Sequence, residues 1–309
     1  MSARLSNDRF EAARAFMHAQ ARPLDLALWR LAFEGGDGAA VIDALAPFQN
    51  PDGGFGHGLE PDLATPASSA IATSVGLRHL VRAGAPAGHP MVARAMAWLA
   101  ANITDGVWPI IDAHVDDAPH APWWAYDAGL PDRWLGFRFN PTAEILAWVY
   151  VLRDAAPAAM VEAAEARMRR TLAETQTLTG AYDLRCAVIL AETPQAPADL
   201  RAGLSELLLR SVAAHDAEDE HAPALDLAPT PASLLAGPLA GQIDSAAATL
   251  IASQQPDGGW LPFWDWAFVD EAAWAQARRA WRGTLTRLAV EALAAHGRLE
   301  GQGERRAVQ

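Results

Sequence analysis

Apolar residues recur every three to four positions from one end of the chain to the other, and the alternating pattern of half-buried strands is almost absent. That spacing predicts about twelve helices, arranged as six consecutive pairs. The pairs cover roughly 7 to 20 with 23 to 34, 37 to 49 with 65 to 83, and 89 to 101 with 140 to 154. Roughly 158 to 176 with 180 to 192, 197 to 214 with 228 to 236, and 241 to 254 with 270 to 297 complete the set, with a break expected near Arg282. Three helix starts share one grammar: Thr65-Pro66, Asn140-Pro141 and Thr230-Pro231 each place a capping side chain before a proline. A capping oxygen accepts orphan amides, and proline suits the first helical position because it has no N–H to satisfy.

All three starts open the second helix of their pair, so a hairpin unit of about 50 residues repeats. The prediction is an all-α fold: a single α/α toroid (an α6/α6 barrel) of about six helical hairpins. It forms one domain over residues 1–309, with a short flexible tail from about 299. Four long connections, at about 50 to 64, 102 to 139, 215 to 229 and 255 to 269, lie on one side of the pairs, where long loops in a compact fold carry function.

Composition narrows the class. Hydrophobic residues at 51% and charged residues at 20% suit a globular protein with a large core. The formal charge of −13 opposes attraction to phosphate backbones, so nucleic acid is not an expected partner. One cysteine, Cys186, cannot form an internal disulfide, and no apolar h-region opens the chain, so a cytoplasmic location is expected. Peripheral membrane contact through an amphipathic helix stays open, as does the oligomeric state. Twelve tryptophans are the unusual element. Trp108, Trp123, Trp124, Trp134, Trp260, Trp264 and Trp266 fall in predicted loops, where they either pack a core or wall a cavity.

Two segments repeat a motif: Gln49-Asn50-Pro51-Asp52-Gly53-Gly54-Phe55 and Gln254-Gln255-Pro256-Asp257-Gly258-Gly259-Trp260. They resemble the QW repeats of squalene/hopene cyclases and of protein prenyltransferase β subunits, a resemblance that implies a helical toroid. Its motifs are structural, and the chemistry of those families is incomplete here. For the DxDD acid motif of the cyclases the nearest strings are His114-Val115-Asp116-Asp117 and Asp216-Ala217-Glu218-Asp219, and neither matches. The second reads as a solvated charged loop. Asp183 and Cys186 lack the prenyltransferase zinc spacing, and Asp116-Asp117-Ala118-Pro119-His120 is not an intact diphosphate motif.

Candidate chemistry therefore rests on residues at the expected mouth of the toroid. In His57-Gly58-Leu59-Glu60-Pro61-Asp62, Glu60 and Asp62 read either as an acid/base pair or as charges favouring the next helix start, with His57 as a binding group. The longest loop gathers Asp112, His114, Asp116, Asp117, His120, Trp123 and Trp124. Asp116 or Asp117 could donate a proton while the indoles steady a cation, or the loop is a structural lid. Glu144, beside an apolar lumen, would have a raised pKa and act as a donor, unless it pairs with Arg138, Arg185 or Arg282. Tyr182 and Asp183, Trp264 and Trp266, and Arg282 complete the candidate binding set. No cofactor is predicted and no metal ligand is assigned; a divalent metal in the Asp/His loop is the minor expectation, because no standard ligand spacing appears.

The leading functional expectation is a terpene cyclase-like or isomerase-like enzyme that protonates a small apolar, isoprenoid-type substrate. A basic cluster for diphosphate is not evident in the sequence. The alternatives are an α/α-barrel glycosidase or lyase using paired carboxylates, and a non-catalytic lipid-binding toroid.

Overall fold

The computed structural model describes residues 2–212 and 224–301. The Asp216–Asp219 string lies outside the described residues. The fold is all-α, with thirteen α-helices and no strand among the described residues. In chain order these are α1 (Asn7–Gln20), α2 (Pro23–Phe33), α3 (Gly38–Leu45), α4 (Ala70–Arg82), α5 (Pro90–Asn102) and α6 (Leu130–Arg133). There follow α7 (Thr142–Val151), α8 (Ala158–Glu174), α9 (Ala181–Ala191), α10 (Ala198–Val212), α11 (Ala224–Leu227), α12 (Ala240–Ala252) and α13 (Glu271–Ala295). Among the described residues no helix is long and apolar enough to cross a membrane.

Five of the six predicted pairs correspond to observed helices, while the helix expected at 228–236 is absent and the other two Pro-marked starts differ in their caps. Ser69, not Thr65, caps α4 by accepting the Ala72 amide; the Thr65 hydroxyl is committed elsewhere, accepting the Ala67 amide and donating to His114 O. Asn140-Pro141 is a cis peptide, and no side-chain cap precedes α7. Thr230-Pro231 opens a run of turns beyond α11 instead of a helix. The expected break near Arg282 is absent; α13 runs through it for 25 residues. Nor does a loose tail begin at 299, since Leu299 is buried and Glu300 N–H bonds Leu5 O.

Helix packing follows a regular order. Contacts join α2 to α3, α3 to α4, α4 to α5 and α7, and α7 to α8 and α9. They continue from α9 to α10 and α11, and from α11 to α12, while α13 returns to pack on both α1 and α2.

The two QxxDGG turns share their hydrogen bonds. Gln49 Nε2 donates to Gly53 O and to Met91 O on α5; Gln254 Nε2 donates to Gly258 O and to Arg9 O on α1. Phe55 N–H donates to Thr73 Oγ1 on α4, and Trp260 N–H to Thr286 Oγ1 on α13. The glycines are obligatory. At Gly53 (φ +99°) a Cβ would lie 2.4 Å from Arg94 O, and at Gly258 (φ +92°) one would lie 2.2 Å from Ala12 O.

A third, degenerate copy emerges at Asp105-Gly106-Val107-Trp108, after α5. Trp108 N–H donates to Thr142 Oγ1 on α7, and a Cβ on Gly106 would lie 2.5 Å from Ala163 O on α8. Each turn thus seats against the first helix of the next pair: α3 against α5, α5 against α8, and α12 against α1. The connections at 102–139 and 255–269 are not open loops either. Ile110, Ile111, Val115, Trp124 and Phe137 bury together with Trp266 and Trp274 as a second core.

Candidate functional site

The first turn delivers the Glu60 loop. Arg22, just before α2, donates from Nη1 to Gly58 O (3.1 Å), from Nη2 to Thr284 Oγ1 (3.1 Å) and from Nε to Asp25 (2.8 Å). This guanidinium ties the loop to α2 and α13 at once. Downstream, Asp62 is buried, and its two oxygens accept indole N–H bonds from Trp266 (2.7 Å) and Trp264 (3.1 Å). Trp281 faces the same carboxylate from beyond hydrogen-bond distance. Burial raises Asp62, while these indoles oppose that and favour the charged form.

Glu60 is half-buried. Desolvation and the negative charge of Asp62 push its carboxyl up to about 8, against weaker opposition from the Asp62 amide, Arg22 and Arg78. Two carboxyls at close quarters divide the labour: Asp62, clasped by indoles, holds the charge, and Glu60 holds the proton at neutral pH.

Beyond Glu60, charges converge from separate helices. Arg78 of α4 bonds Glu144 of α7 (Nη2–Oε1 2.7 Å), and Trp148 donates to the same oxygen at 3.3 Å. Burial alone would raise Glu144, but Arg78 and the nearby Arg185 outweigh it and hold the carboxyl low. The expectation of a raised, proton-donating Glu144 is therefore corrected: its neighbours are arginines, not an apolar lumen. Arg185 of α9 stands over Tyr182, 5.6 Å from the ring centroid, with Glu144 and Asp226 of α11 as its charged neighbours. Asp226 keeps exposed surface, yet surrounding chain desolvates its carboxyl enough to raise it against the pull of Arg185 and Arg78. Arg78 links the two groups, acting on Glu60 on one side and on Glu144 and Asp226 on the other. Behind it, His79 is buried and held neutral by desolvation and by Arg287, Arg78, Arg82 and Arg22. A basic cluster invisible along the sequence is thus assembled in space.

The remaining candidates are distributed as follows. His57 is exposed and bonds Asn50 Oδ1 (2.8 Å). The backbone of the longest loop does meet the Glu60 loop, through Ala121 N–H to Asp62 O and Ala64 N–H to Pro119 O. Its acids, however, turn outward: Asp117 is 71% exposed and pairs with His114, and Asp116 lies 3.6 Å from His120 Nε2. Trp123 packs partly on the second core, and buried Trp124 stacks on Trp134 (5.2 Å), which meets Tyr182 edge-on. Asp183 accepts the Asn140 amide (3.1 Å), and burial pushes it up to about 6. Arg282 belongs to the second turn, bonding Asp257 at 2.7 Å and lying 4.6 Å above Phe16. Cys186 is buried, and burial lifts its thiol well above the ordinary value. No cluster of three or more His, Cys, Asp or Glu side chains suited to a metal occurs among the described residues.

Sequence reading alone did not nominate Arg22, Arg78, Asp226 or Trp281, and gave Arg185 only a pairing role. A signal existed for two of them. Arg78 interrupts the small and apolar run of α4, and Arg185 stands between Leu184 and Cys186 in an apolar helix; a lone charge in a buried helix needs a reason. No family model, curated protein or solved structure matches the chain.

Proposed function

We propose that this chain is a general-acid enzyme built as an α/α ring, cleaving a carbohydrate-class substrate with Glu60 as proton donor. The observation that carries the reading is a desolvated Glu60 carboxyl beside Asp62, with Arg22 and Arg78 acting on it and Arg78 in turn paired with Glu144. Ring closure is supported by the third seat of the repeated turn, α12 against α1, and by α13 packing on α1 and α2. The likeness of the turns to those of the cyclase and prenyltransferase toroids agrees with this architecture.

Desolvating several ionised arginines against a hydrocarbon would be costly, whereas sugar hydroxyls replace the lost water. In the proposed step the Glu60 proton passes to the glycosidic oxygen as its bond to the anomeric carbon breaks. Water then adds to that carbon, and its proton goes to Asp226, the accessible second carboxylate. Asp62 stays ionised throughout and raises Glu60 between turnovers. Glu60→Gln should lower cleavage about 10²- to 10⁴-fold, and wild-type kcat/KM should fall as pH rises past about 8.

A second reading keeps the proton donor and changes the substrate: the indoles of Trp264, Trp266 and Trp281 beside Asp62 would suit protonation of an isoprenoid alkene. Incubation with neutral and acidic oligosaccharides, squalene and prenyl diphosphates, read by mass spectrometry in wild type and Glu60→Gln, separates the two. Shortened oligosaccharides support cleavage, and a Glu60-dependent cyclised isoprenoid overturns it in favour of the second reading. Conversion of none overturns both and leaves a lipid-binding ring.

A further inference from the structure

The three seats of the repeated turn are not filled alike. At the first, the carbonyl of Arg94 faces Gly53, and the ring of Trp98, one helical turn further along α5, lies 2.8 Å from where a Cβ on Gly54 would stand. At the second, the carbonyl of Ala12 faces Gly258, and the ring of Phe16 on α1 covers Gly259 at the same 2.8 Å. At the third, the carbonyl of Ala163 faces Gly106, but the residue one turn further along α8 is Arg167, and Val107 stands where the second glycine would be. A crossing amide is missing as well. Gln49 and Gln254 reach the neighbouring helix, whereas the shorter Asn102 donates to Trp98 O on its own helix, α5. Where an aromatic ring closes the other seats, this one is an open cleft of about 590 Å³ lined by Ile103, Asp105, Ala163, Ala166, Arg167 and Arg170.

The charges on the walls of this cleft do not balance. Arg167 and Arg170 both line it, against the carboxylate of Asp105 alone. Neither guanidinium makes an ion pair or hydrogen bond among the described residues; their neighbour Arg169 is the one that takes Glu165 and Asp199. The Nε of Arg167 is enclosed without an acceptor, which is unfavourable until something accepts from it. Two cations facing one anion leave a positive charge uncompensated, in a protein whose net charge is −13. One monoanion restores local neutrality where a dianion overshoots it, and a planar carboxylate matches the donor fork of a guanidinium. Ile103, Ala163 and Ala166 add apolar wall, which suits a ligand with a body and not a bare ion. We infer that the third seat is a binding site for a small monocarboxylate with an apolar body, held by Arg167 and Arg170. None of its residues belongs to the Glu60 site, so the two assignments stand or fall separately.

The test is calorimetric titration of the whole protein with benzoate, with benzamide as its uncharged counterpart and inorganic phosphate as an anion without an apolar body. Benzoate is expected to bind at least about tenfold more tightly than either. Arg167→Gln and Arg170→Gln should each weaken benzoate by at least about tenfold, with urea midpoints like the wild type's to show that both variants are folded. Arg167→Lys should recover only part of the loss, because lysine keeps the charge but not the fork. Asp105→Asn, which removes the opposing charge, should tighten benzoate. Benzamide or phosphate binding as tightly as benzoate, or a benzoate affinity unchanged in both glutamine variants, overturns the assignment. So does a wild-type protein that does not bind benzoate at all.

Discussion

The turns Gln49–Gly54 and Gln254–Gly259 are built alike and used differently. Both bend through a glycine pressed against the backbone of a neighbouring helix, and both anchor the following residue on a buried threonine hydroxyl. After the first, the chain presents Glu60 and Asp62. After the second it presents Trp264 and Trp266, whose indoles clasp that same Asp62. One half of the molecule supplies the acid pair and the other half tunes it. The scaffold is thus repeated while its cargo has diverged, and a motif conserved in geometry says where chemistry sits without saying what it is.

If the turns are equivalent supports, equal damage should follow equal substitution. Gly53→Ala and Gly258→Ala each force a Cβ into a backbone carbonyl and an L residue to positive φ, so each should lose at least about 2 kcal/mol in urea unfolding. Indifference at either site would break the equivalence. Thr73→Val and Thr286→Val leave the Phe55 and Trp260 amides without an acceptor, at an expected cost of about 1–3 kcal/mol each.

The smallest expected difference lies in Asp257, which has an arginine that Asp52 lacks. A hydrogen bond from Arg282 holds the Asp257 carboxyl below its ordinary 3.8. A depressed carboxyl stabilises the fold above its unfolded pKa and loses that contribution as pH falls through the folded value. The carboxylate of the pair is exposed, so Asp257→Asn should cost less than about 1 kcal/mol at pH 7. In thermal melts, mutant and wild type should begin to converge as pH falls below about 3.8 and meet once it passes the lower folded value. A constant gap between them down to pH 2 would show that charge is not what distinguishes the second turn.

Much of the fold could be read along the chain because helical periodicity and glycine turns are local signals. Both QxxDGG turns and five of the six pairs are apparent, and Glu60 and Asp62 stand out as acids at the end of a glycine turn. The third turn was missed because its glutamine is absent: Asp105-Gly106 and Trp108 keep the shape with few of the letters. Asp116 and Asp117 drew attention through density of functional groups, yet a short 3₁₀ turn directs them to solvent. The arginine cluster was the opposite case. Arg22, Arg78, Arg185 and Arg287 are scattered over most of the chain and meet only when the helices pack, so no window of sequence contains them together.

The central claim is that Glu60 keeps its proton at neutral pH because it is desolvated beside an ionised Asp62. Carbon-13 NMR of glutamate side-chain carboxyls, with Glu60 assigned by its disappearance in Glu60→Gln, reads this directly. The account predicts a titration midpoint near 8 that moves toward the ordinary glutamate range in Asp62→Asn. A midpoint near 4.5 in the wild-type protein, unmoved by Asp62→Asn, would contradict it.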